Sequence, residues 1–282
     1  MRIGVTGMTD KYVDVAGTRI RYREQPGADA PLLFIHGIGE SSEFWHWQLE
    51  AGIGQHRLLA IDLPGHGLSD LGDQPFDADK FANFSLALAD ALDLKRFYVV
   101  GNSMGAAIAV RMAAAAPDRV AGIVLANSAT LGRGVFMPFR IMTLPLLGEL
   151  MTKPGKAAVE QQLKALFHDP AVVTSSIREI ADRNMAKPGG QQAFLSTLRR
   201  MTGFGGQRQE IWERTRSLLK TLSQPTLFIH GKQDAVVPAQ QSIEAQAITP
   251  DSKLMLLDDC GHTPQFEKPE IFNRALAEFV AG

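Results

Sequence analysis

The stretch Phe97-Tyr98-Val99-Val100-Gly101-Asn102-Ser103-Met104-Gly105-Ala106-Ala107-Ile108-Ala109-Val110 joins an apolar run typical of a β-strand to an alanine-rich run typical of a helix. Between the two runs stands Gly-x-Ser-x-Gly, centred on Ser103. A sharp strand-to-helix turn favours glycine on both sides, because a Cβ atom there blocks the bend, and the turn pushes the central side chain outward. The stretch predicts a nucleophilic serine at the end of a buried strand; the alternative is a glycine-rich connection with an incidental serine.

Other apolar runs predict further strands of the same sheet. Several are apolar at almost every position, as expected of strands buried on both faces, and they alternate with helical patterns. This alternation favours an α/β fold with a mostly parallel central sheet flanked by helices. Around Gly17, apolar and polar residues alternate instead, which predicts an antiparallel pair at a sheet edge. The predicted strands lie in 11–23, 31–35, 57–62, 97–100, 120–127, 224–231 and 253–257, and the predicted helices include 81–92, 106–116 and 269–280.

The composition changes between residues 130 and 222. No buried-strand run occurs there, and helical patterns are interrupted by prolines and glycine pairs. We therefore predict a helical insertion of residues 130–222 in a core of residues 1–129 and 223–282. The first part of the insertion, 136–151, is rich in Met, Phe and Leu, which adapt to varied shapes. It is expected to pack on the core or to form a lid over an apolar pocket, with contact to a membrane surface as a third alternative.

Three side chains suited to nucleophilic catalysis follow strands at the same edge of the predicted sheet. Ser103 follows the strand at 97–100, Asp234 follows the one at 224–231, and His262 follows the last strand. The chain order Ser, Asp, His is one of the known orders of a hydrolytic triad. At the same edge, the glycine-flanked loop His36-Gly37-Ile38-Gly39 can aim backbone N–H groups into the crevice above the sheet.

His36 and Asp62 also stand at strand ends, where a catalytic role is possible in principle. A histidine in a loop more often holds its own backbone, and a short acid after a strand more often accepts hydrogen bonds from loop N–H groups. For both residues we therefore favour a structural role.

The composition excludes several classes of function. Lys and Arg number 29 against 30 Asp and Glu, a net charge of −1, so the chain lacks the basic field that nucleic acid requires. Residues 1–10 lack the apolar core of a signal peptide, and no run is apolar enough to span a bilayer. The single cysteine, Cys260, favours a reducing compartment. We expect a cytoplasmic monomer or homodimer without nucleic-acid or membrane partners.

Motifs for cofactors and metals are weak. Gly4-Val5-Thr6-Gly7 lacks the strand and helix that surround a dinucleotide-binding loop, and the sequence contains neither a phosphate-binding loop with its lysine nor a His-Glu-x-x-His zinc motif. The seven histidines are scattered without the spacing of metal ligands. We expect neither a metal nor an organic cofactor.

Five motifs, in order along nearly the whole chain, resemble those of the α/β-hydrolase fold family, in the subgroup with a helical cap inserted after the sixth strand. The motifs are His36-Gly37-Ile38-Gly39, Asp62-Leu63-Pro64-Gly65-His66-Gly67-Leu68-Ser69-Asp70, Gly101-Asn102-Ser103-Met104-Gly105, Gly231-Lys232-Gln233-Asp234 and Gly261-His262-Thr263-Pro264. The resemblance implies that Ser103 is the nucleophile, His262 the base and Asp234 its orienting acid. It also implies that Ile38 and Met104 donate N–H groups to an oxyanion. A serine in the turn argues against haloalkane dehalogenases and epoxide hydrolases, which need a carboxylate there.

The leading hypothesis is hydrolysis of a carboxylic ester through an acyl-enzyme. The motif around Ser103 also resembles that of the meta-cleavage product hydrolases, which cleave a carbon–carbon bond in vinylogous 1,5-diketones. The resemblance then implies that Asn102 and the backbone at Gly37 contact the substrate. The sequence departs from that subgroup at three positions: it has Glu40, Ala106 and Thr263 where meta-cleavage product hydrolases usually have proline, glycine and tryptophan.

Meta-cleavage product hydrolases also tend to bind a substrate carboxylate with a cap arginine. The candidates in this sequence are Arg133, Arg140, Arg183, Arg199 and Arg200. The substrate is therefore expected to be a small-molecule ester or a dienone. A third hypothesis is a receptor that holds a small ligand beneath the cap without turnover, although an intact triad argues against it. A cofactor-free haloperoxidase side activity is also compatible with the triad.

Overall fold

The computed structural model describes residues 9–282. Gly4-Val5-Thr6-Gly7 and most of the first ten residues lie outside this range. The main sheet contains eight strands in the order β1-β2-β4-β3-β5-β6-β9-β10. Its strands are β1 (Lys11–Val15), β2 (Thr18–Gln25), β3 (Asp29–Ile35), β4 (His56–Ile61), β5 (Phe97–Asn102), β6 (Val120–Ala126), β9 (Thr226–Gly231) and β10 (Ser252–Leu257). From β4 to β10 all neighbours are parallel, and β2 pairs antiparallel with both β1 and β4.

Helices cover both faces of this sheet. Their boundaries follow local signals: Asp77 accepts a hydrogen bond from Lys80 N–H at the start of α2, and Pro117 follows the end of α3. The helices outside the stretch between β6 and β9 are α1 (His46–Ala51), α2 (Ala78–Ala91), α3 (Met104–Ala115), α10 (Gln240–Gln246), α11 (Pro264–Glu267) and α12 (Pro269–Ala281). The helices between β6 and β9 are α4 (Met137–Met142), α5 (Leu147–Met151), α6 (Lys156–Leu166), α7 (Ser175–Ala186), α8 (Gly190–Met201) and α9 (Gln209–Leu219).

Alternate residues of the central strands enter two separate apolar clusters. On β3, Leu33 and Ile35 belong to one cluster, with residues of α2 and α3, while Leu32 and Phe34 belong to the other, with residues of α1 and α12. Both faces of the sheet are therefore buried, which explains the uninterrupted apolar runs in the sequence.

The prediction of an α/β fold with a mostly parallel sheet is confirmed, as are all the predicted strands and helices. One feature differs. Within 130–222, β7 (Thr202–Gly203) and β8 (Gly206–Gln207) form a small antiparallel hairpin, where only helices were predicted. These two-residue strands are too short to produce an apolar strand pattern. In the part of the chain that the structure describes, no helix is long and apolar enough to cross a membrane.

The segment 130–222 contacts the rest of the described chain through apolar and polar side chains. Phe44, which precedes α1, packs in one cluster with buried residues of α6 and α7. Beside this cluster, Arg183 Nη1 of α7 lies 2.9 Å from Glu43 Oε1, and Asn184 Nδ2 donates to Ser41 Oγ at 2.9 Å. These contacts bring α7 to the loop that follows β3.

Candidate active site

Ser103 occupies a strained turn between β5 and α3. Its φ of 54° and ψ of −113° lie where non-glycine residues are rare, a conformation that costs on the order of 1–3 kcal/mol. A Cβ atom on Gly101 would overlap the carbonyl group of Gly105, and one on Gly105 would overlap the carbonyl oxygen of Ile35. Close backbone approach thus requires both glycines. The turn is tied to β6, because Ser103 N–H donates to Ala126 O at 2.9 Å.

The loop after β3 holds the peptide between Gly37 and Ile38 in one orientation. The Gly37 carbonyl oxygen lies 2.6 Å from His36 Nδ1 and 3.3 Å from the backbone nitrogen of Glu40. Because the N–H of a trans peptide points opposite to its carbonyl, Ile38 N–H is directed away from these two groups. Ile38, Ser103 and Met104 line the same cavity. The two predicted oxyanion donors therefore belong to residues that share a cavity with the predicted nucleophile.

His36 supports this loop as a neutral histidine. Its Nε2 accepts a hydrogen bond from Leu63 N–H at 3.1 Å, so Nδ1 carries the proton and donates to Gly37. Burial lowers the pKa of His36, which keeps the ring uncharged despite the nearby Asp62. The structural role that the sequence favoured for His36 is confirmed.

Asp62 fixes the neighbouring loop. Its carboxylate accepts hydrogen bonds from Ser42 N–H and Leu68 N–H, both at 2.7 Å, and from Nε of the fully buried Arg21 at 2.6 Å. A Cβ atom on Gly67 would overlap this carboxylate. The structural role predicted for Asp62 is thus also confirmed.

His262 and Asp234 form a buried pair at the carboxyl edge of the sheet. His262 Nδ1 lies 2.8 Å from Asp234 Oδ2, while Asp234 Oδ1 accepts from Val236 N–H at 2.7 Å and Val237 N–H at 3.0 Å. Burial alone would raise the pKa of Asp234, but His262 and His230 hold it well below its usual range. Burial alone would lower the pKa of His262, but Asp234 outweighs this effect and the pKa is raised. The geometry is that of a histidine base held by a carboxylate.

Two further residues hold Asp234, and sequence reasoning missed both. Asn127 Nδ2 donates to Asp234 Oδ2 at 2.7 Å and to Gly261 O at 3.0 Å. His230 Nε2 lies 3.1 Å from Asp234 Oδ2, and its Nδ1 lies 2.7 Å from Ser242 Oγ. A signal was present for each: Asn127 follows β6 at the same sheet edge, and His230 is a polar residue that directly follows the apolar run Leu227-Phe228-Ile229.

Two cavities lie between the sheet edge and the segment 130–222. The smaller one, about 370 Å³, is lined by Ser103, Ile38 and Met104 together with mostly apolar residues of the segment and of the loop after β9. The larger one, about 900 Å³, is lined by the loops after β3 and β4 and by helices α4 to α8. Ile38 and Phe139 line both cavities, so the two spaces adjoin at these side chains.

Comparison with known proteins identifies the family of this chain. A family model described as the alpha/beta hydrolase fold matches residues 30–269. The chain belongs to the α/β-hydrolase fold family. Both the predicted fold and the predicted resemblance are confirmed, and the chain is a member of a hydrolase family.

Named relatives of this α/β hydrolase span several activities. It is 30% identical, over 97% of its length and 70% of the relative's, to a dihydrolipoyllysine-residue acetyltransferase component of an acetoin cleaving system from Pseudomonas putida. It is 28% identical, over 96% of both chains, to a 2-hydroxy-6-oxononadienedioate/2-hydroxy-6-oxononatrienedioate hydrolase from Burkholderia vietnamiensis. A solved structure of a candidate aryl esterase from Burkholderia cenocepacia has a TM-score of 0.76 and 27% identity, over 97% of this chain and 98% of the other.

Asn102 and Gly37, predicted to contact substrate, make different contacts in this α/β hydrolase. Asn102 is fully buried and donates from Nδ2 to His262 O at 3.0 Å and to Ala126 O at 3.3 Å. Gly37 N–H donates to Glu40 Oε2 at 2.9 Å. Neither residue lines the two cavities described above. Their contact with substrate stays a prediction, and the observed hydrogen bonds give both a positioning role.

The candidate arginines of segment 130–222 are all engaged elsewhere. Their partners are Gly205 O for Arg133 (2.8 Å), Phe204 O for Arg140 (2.7 Å), Glu43 for Arg183 (2.9 Å), Glu149 for Arg199 (2.9 Å) and Asp77 for Arg200 (3.5 Å). No lysine or arginine belongs to the lining of either cavity within residues 9–282. The predicted carboxylate-binding arginine therefore has no counterpart in these two cavities.

Residues 136–151 show both of the behaviours considered for them. Met142 packs with buried leucines of α8, while Phe136, Phe139, Met142 and Met151 line the larger cavity. The segment thus packs and forms a pocket wall at once. In the described range 9–282, no group of three or more His, Cys, Asp or Glu side chains is arranged to hold a metal ion.

Proposed function

We propose that this α/β hydrolase cleaves uncharged carboxylic esters of small molecules through an acyl-enzyme on Ser103. The observation that carries the proposal is that Ser103, held in a strained turn, shares one apolar cavity with Ile38 and Met104. The hydrogen-bonded pair of His262 and Asp234 at the same sheet edge supports it.

The reaction would run in two symmetrical halves. His262 Nε2, the ring nitrogen that Asp234 does not engage, takes the proton of Ser103 Oγ as that oxygen attacks the ester carbonyl carbon. The N–H groups of Ile38 and Met104 stabilise the negative oxygen of the tetrahedral intermediate. The imidazolium then gives its proton to the departing alkoxide. Water repeats the sequence on the acyl-enzyme, which releases the acid and restores Ser103.

We also propose that residues 130–222 form the cap of this enzyme and that 1–129 with 223–282 form its core. The cavities between the two parts support this division, because residues from both line them. The enzyme would act in the cytoplasm as a monomer or homodimer, without nucleic-acid or membrane partners. The single cysteine, Cys260, is buried and free, as a reducing compartment allows.

Hydrolysis of a carbon–carbon bond is the second candidate, favoured by the relative from Burkholderia vietnamiensis. The name of that relative's substrate denotes a dicarboxylate. A dianion needs cationic partners, whereas the two cavities of this chain carry no lysine or arginine in the described range and include the carboxyl group of Glu40. Because the cavities lack such cationic partners, we favour ester hydrolysis over cleavage of a carbon–carbon bond.

A paired turnover assay tests the proposal. Wild type and Ser103→Ala are assayed on 4-nitrophenyl esters of short to medium acyl chains and on a ring-opened dienone acid. We expect ester turnover that Ser103→Ala abolishes, with little or no turnover of the dienone. A higher specificity constant on the dienone would instead support the carbon–carbon reaction, and ligand binding without any turnover would support a receptor.

A further inference from the structure

Glu40 is a buried carboxyl group that the proposed reaction does not use. The residue is about 1% exposed and lines the larger cavity. Oε2 accepts a hydrogen bond from Gly37 N–H at 2.9 Å, and the backbone nitrogen of Glu40 lies 3.3 Å from Gly37 O. The carboxyl group is therefore held by the backbone of the loop that carries Ile38, in a residue that lines the larger cavity.

Besides the Gly37 N–H, the groups that face Glu40 are one histidine that interacts with it electrostatically, a neutral histidine and two uncharged amides. From the loop after β10, His262 acts on Glu40 electrostatically. From the loop after β4, His66 lines the same cavity, and burial, aided by His36, lowers its pKa to about 3, so the ring is neutral. From the cap helices, Gln162 and Asn184 line the cavity and are uncharged.

The cap arginine next to the cavity residue Asn184 is already paired. Arg183 of α7 bonds to Glu43 Oε1, and Arg21 donates to both oxygens of the same carboxylate, at 2.8 Å and 2.7 Å. Neither arginine belongs to the lining of the larger cavity. A substrate group in this cavity thus meets a carboxyl group without an accompanying cation.

We propose, on the basis of the ester hydrolysis proposed above, that Glu40 is a specificity-determining residue that makes the larger cavity reject anionic substrate groups. A carboxylate on the substrate would face a second carboxylate that is itself almost wholly shielded from solvent, where repulsion between like charges is stronger than in bulk water. An uncharged ester of the same length meets no such repulsion. The substrate class is therefore uncharged esters, and hemiesters of dicarboxylic acids are poor substrates.

The protonation state of Glu40 should make this rejection of anionic substrates depend on pH. Burial raises the pKa of Glu40 to about 7, although the hydrogen bond from Gly37 and the proximity of His262 lower it in part. Below that pH Glu40 is mostly a neutral acid, and above it mostly a carboxylate. Rejection of anionic substrates should therefore strengthen as the pH rises through neutrality.

The test compares matched esters in wild type and Glu40→Gln. One pair is 4-nitrophenyl hexanoate against mono-4-nitrophenyl adipate, which places the charge on the acyl side. The other pair is methyl 4-(hexanoyloxy)benzoate against 4-(hexanoyloxy)benzoic acid, which places the charge on the alcohol side of the hexanoyl ester. The readout is the ratio of kcat/KM, neutral over anionic, at about pH 6 and about pH 8. Ionisation of His262 cancels in this ratio because both esters need the same base.

For at least one pair, we expect the wild-type ratio to rise several-fold between the two pH values, and Glu40→Gln to lower it about tenfold or more at the higher pH. Glutamine keeps an oxygen for Gly37 N–H, so the loop retains its support. Glu179→Gln, which removes one carboxylate from the exposed face of α7, should leave the ratio unchanged. An equal loss of activity on both esters of each pair would overturn the inference and leave Glu40 as a support of the loop.

Two further measurements keep the inference testable if Glu40→Gln fails to fold. The pH dependence of the wild-type ratio needs no variant, and a flat ratio for both pairs contradicts the inference. Gln161→Lys adds a cation at the exposed rim of the same cavity and should shift the ratio toward the anionic ester. Absence of turnover on every ester is a distinct result, since it contradicts ester hydrolysis itself, whereas turnover with a ratio insensitive to pH and to Glu40→Gln contradicts only the selection.

Discussion

The side-chain nitrogen of Asn127 lies 2.7 Å from Asp234 Oδ2, the same oxygen that accepts the hydrogen bond from His262 Nδ1. Asn127 also reaches the loop that carries His262, through Gly261 O at 3.0 Å, and its Oδ1 accepts from Gly231 N–H at 3.3 Å. One amide thus ties together the end of β6, the acid and the loop of the base. Its role follows from the fold, because no sequence motif contains all three.

Replacement of Asn127 should impair the base more than substrate binding. In Asn127→Ala we expect kcat to fall about 10- to 100-fold with a smaller change in KM, because Asp234 loses a hydrogen bond that orients it. Asn127 has a φ of 43°, so alanine also adds backbone strain. Asn127→Gly removes the amide without that strain. Steady-state kinetics of both variants separate the effects: recovery of kcat in the glycine variant would assign the loss to the backbone instead.

Loss of the His36 side chain should act like loss of an oxyanion donor. The ring holds Gly37 O through Nδ1 and Leu63 N–H through Nε2, and so fixes the peptide that carries Ile38 N–H. In His36→Phe we expect kcat on a neutral ester to fall about 100- to 1000-fold, with KM nearly unchanged.

The matched control is His56→Phe. His56 Nδ1 also bonds a backbone carbonyl, Ala30 O at 2.7 Å, but His56 lines neither cavity in the described range. It should lose far less activity, and equal losses in the two variants would argue that both act through general destabilisation.

The glycines around Ser103 should be needed for folding as well as for activity. A Cβ on Gly105 would overlap the carbonyl of Ile35, which belongs to the neighbouring buried strand and cannot move away freely. We expect Gly105→Ala to lower the free energy of unfolding by about 1–3 kcal/mol or more, measured by urea denaturation. Gly203→Ala is the control, because a Cβ there meets nothing within 4 Å and the backbone is not left-handed. Comparable losses in both variants would contradict the close approach as the cause.

The sequence was sufficient to predict the parts of the site that lie at the end of a single strand. Gly101, Ser103 and Gly105 are neighbours along the chain, so their spacing alone predicts the turn, and the apolar runs predict which strands bring Asp234 and His262 to the same edge. The support of Asp234 by Asn127 and His230 was not predictable in the same way, since it depends on which loops meet in space. The arginines of segment 130–222 show the same limit: their number is visible in the sequence, but their partners depend on how the helices of this segment pack.

The pH dependence of activity should reflect the opposed shifts of Asp234 and His262. His262 must be neutral to accept the Ser103 proton, and Asp234 raises its pKa against the effect of burial. The acidic limb of kcat/KM on a neutral ester should therefore lie above the ordinary histidine value of about 6.5, with activity lost as the pH falls through it.

Glu40 also raises the pKa of His262, so in Glu40→Gln the limb should move to lower pH. Glu179→Gln, which makes the same chemical change on an exposed helix face, should leave the limb in place. Values of kcat/KM measured against pH give the position of the limb in all three proteins. A wild-type limb at or below the ordinary value would contradict the assignment of His262, and a limb that Glu40→Gln does not move would contradict electrostatic coupling between the two groups.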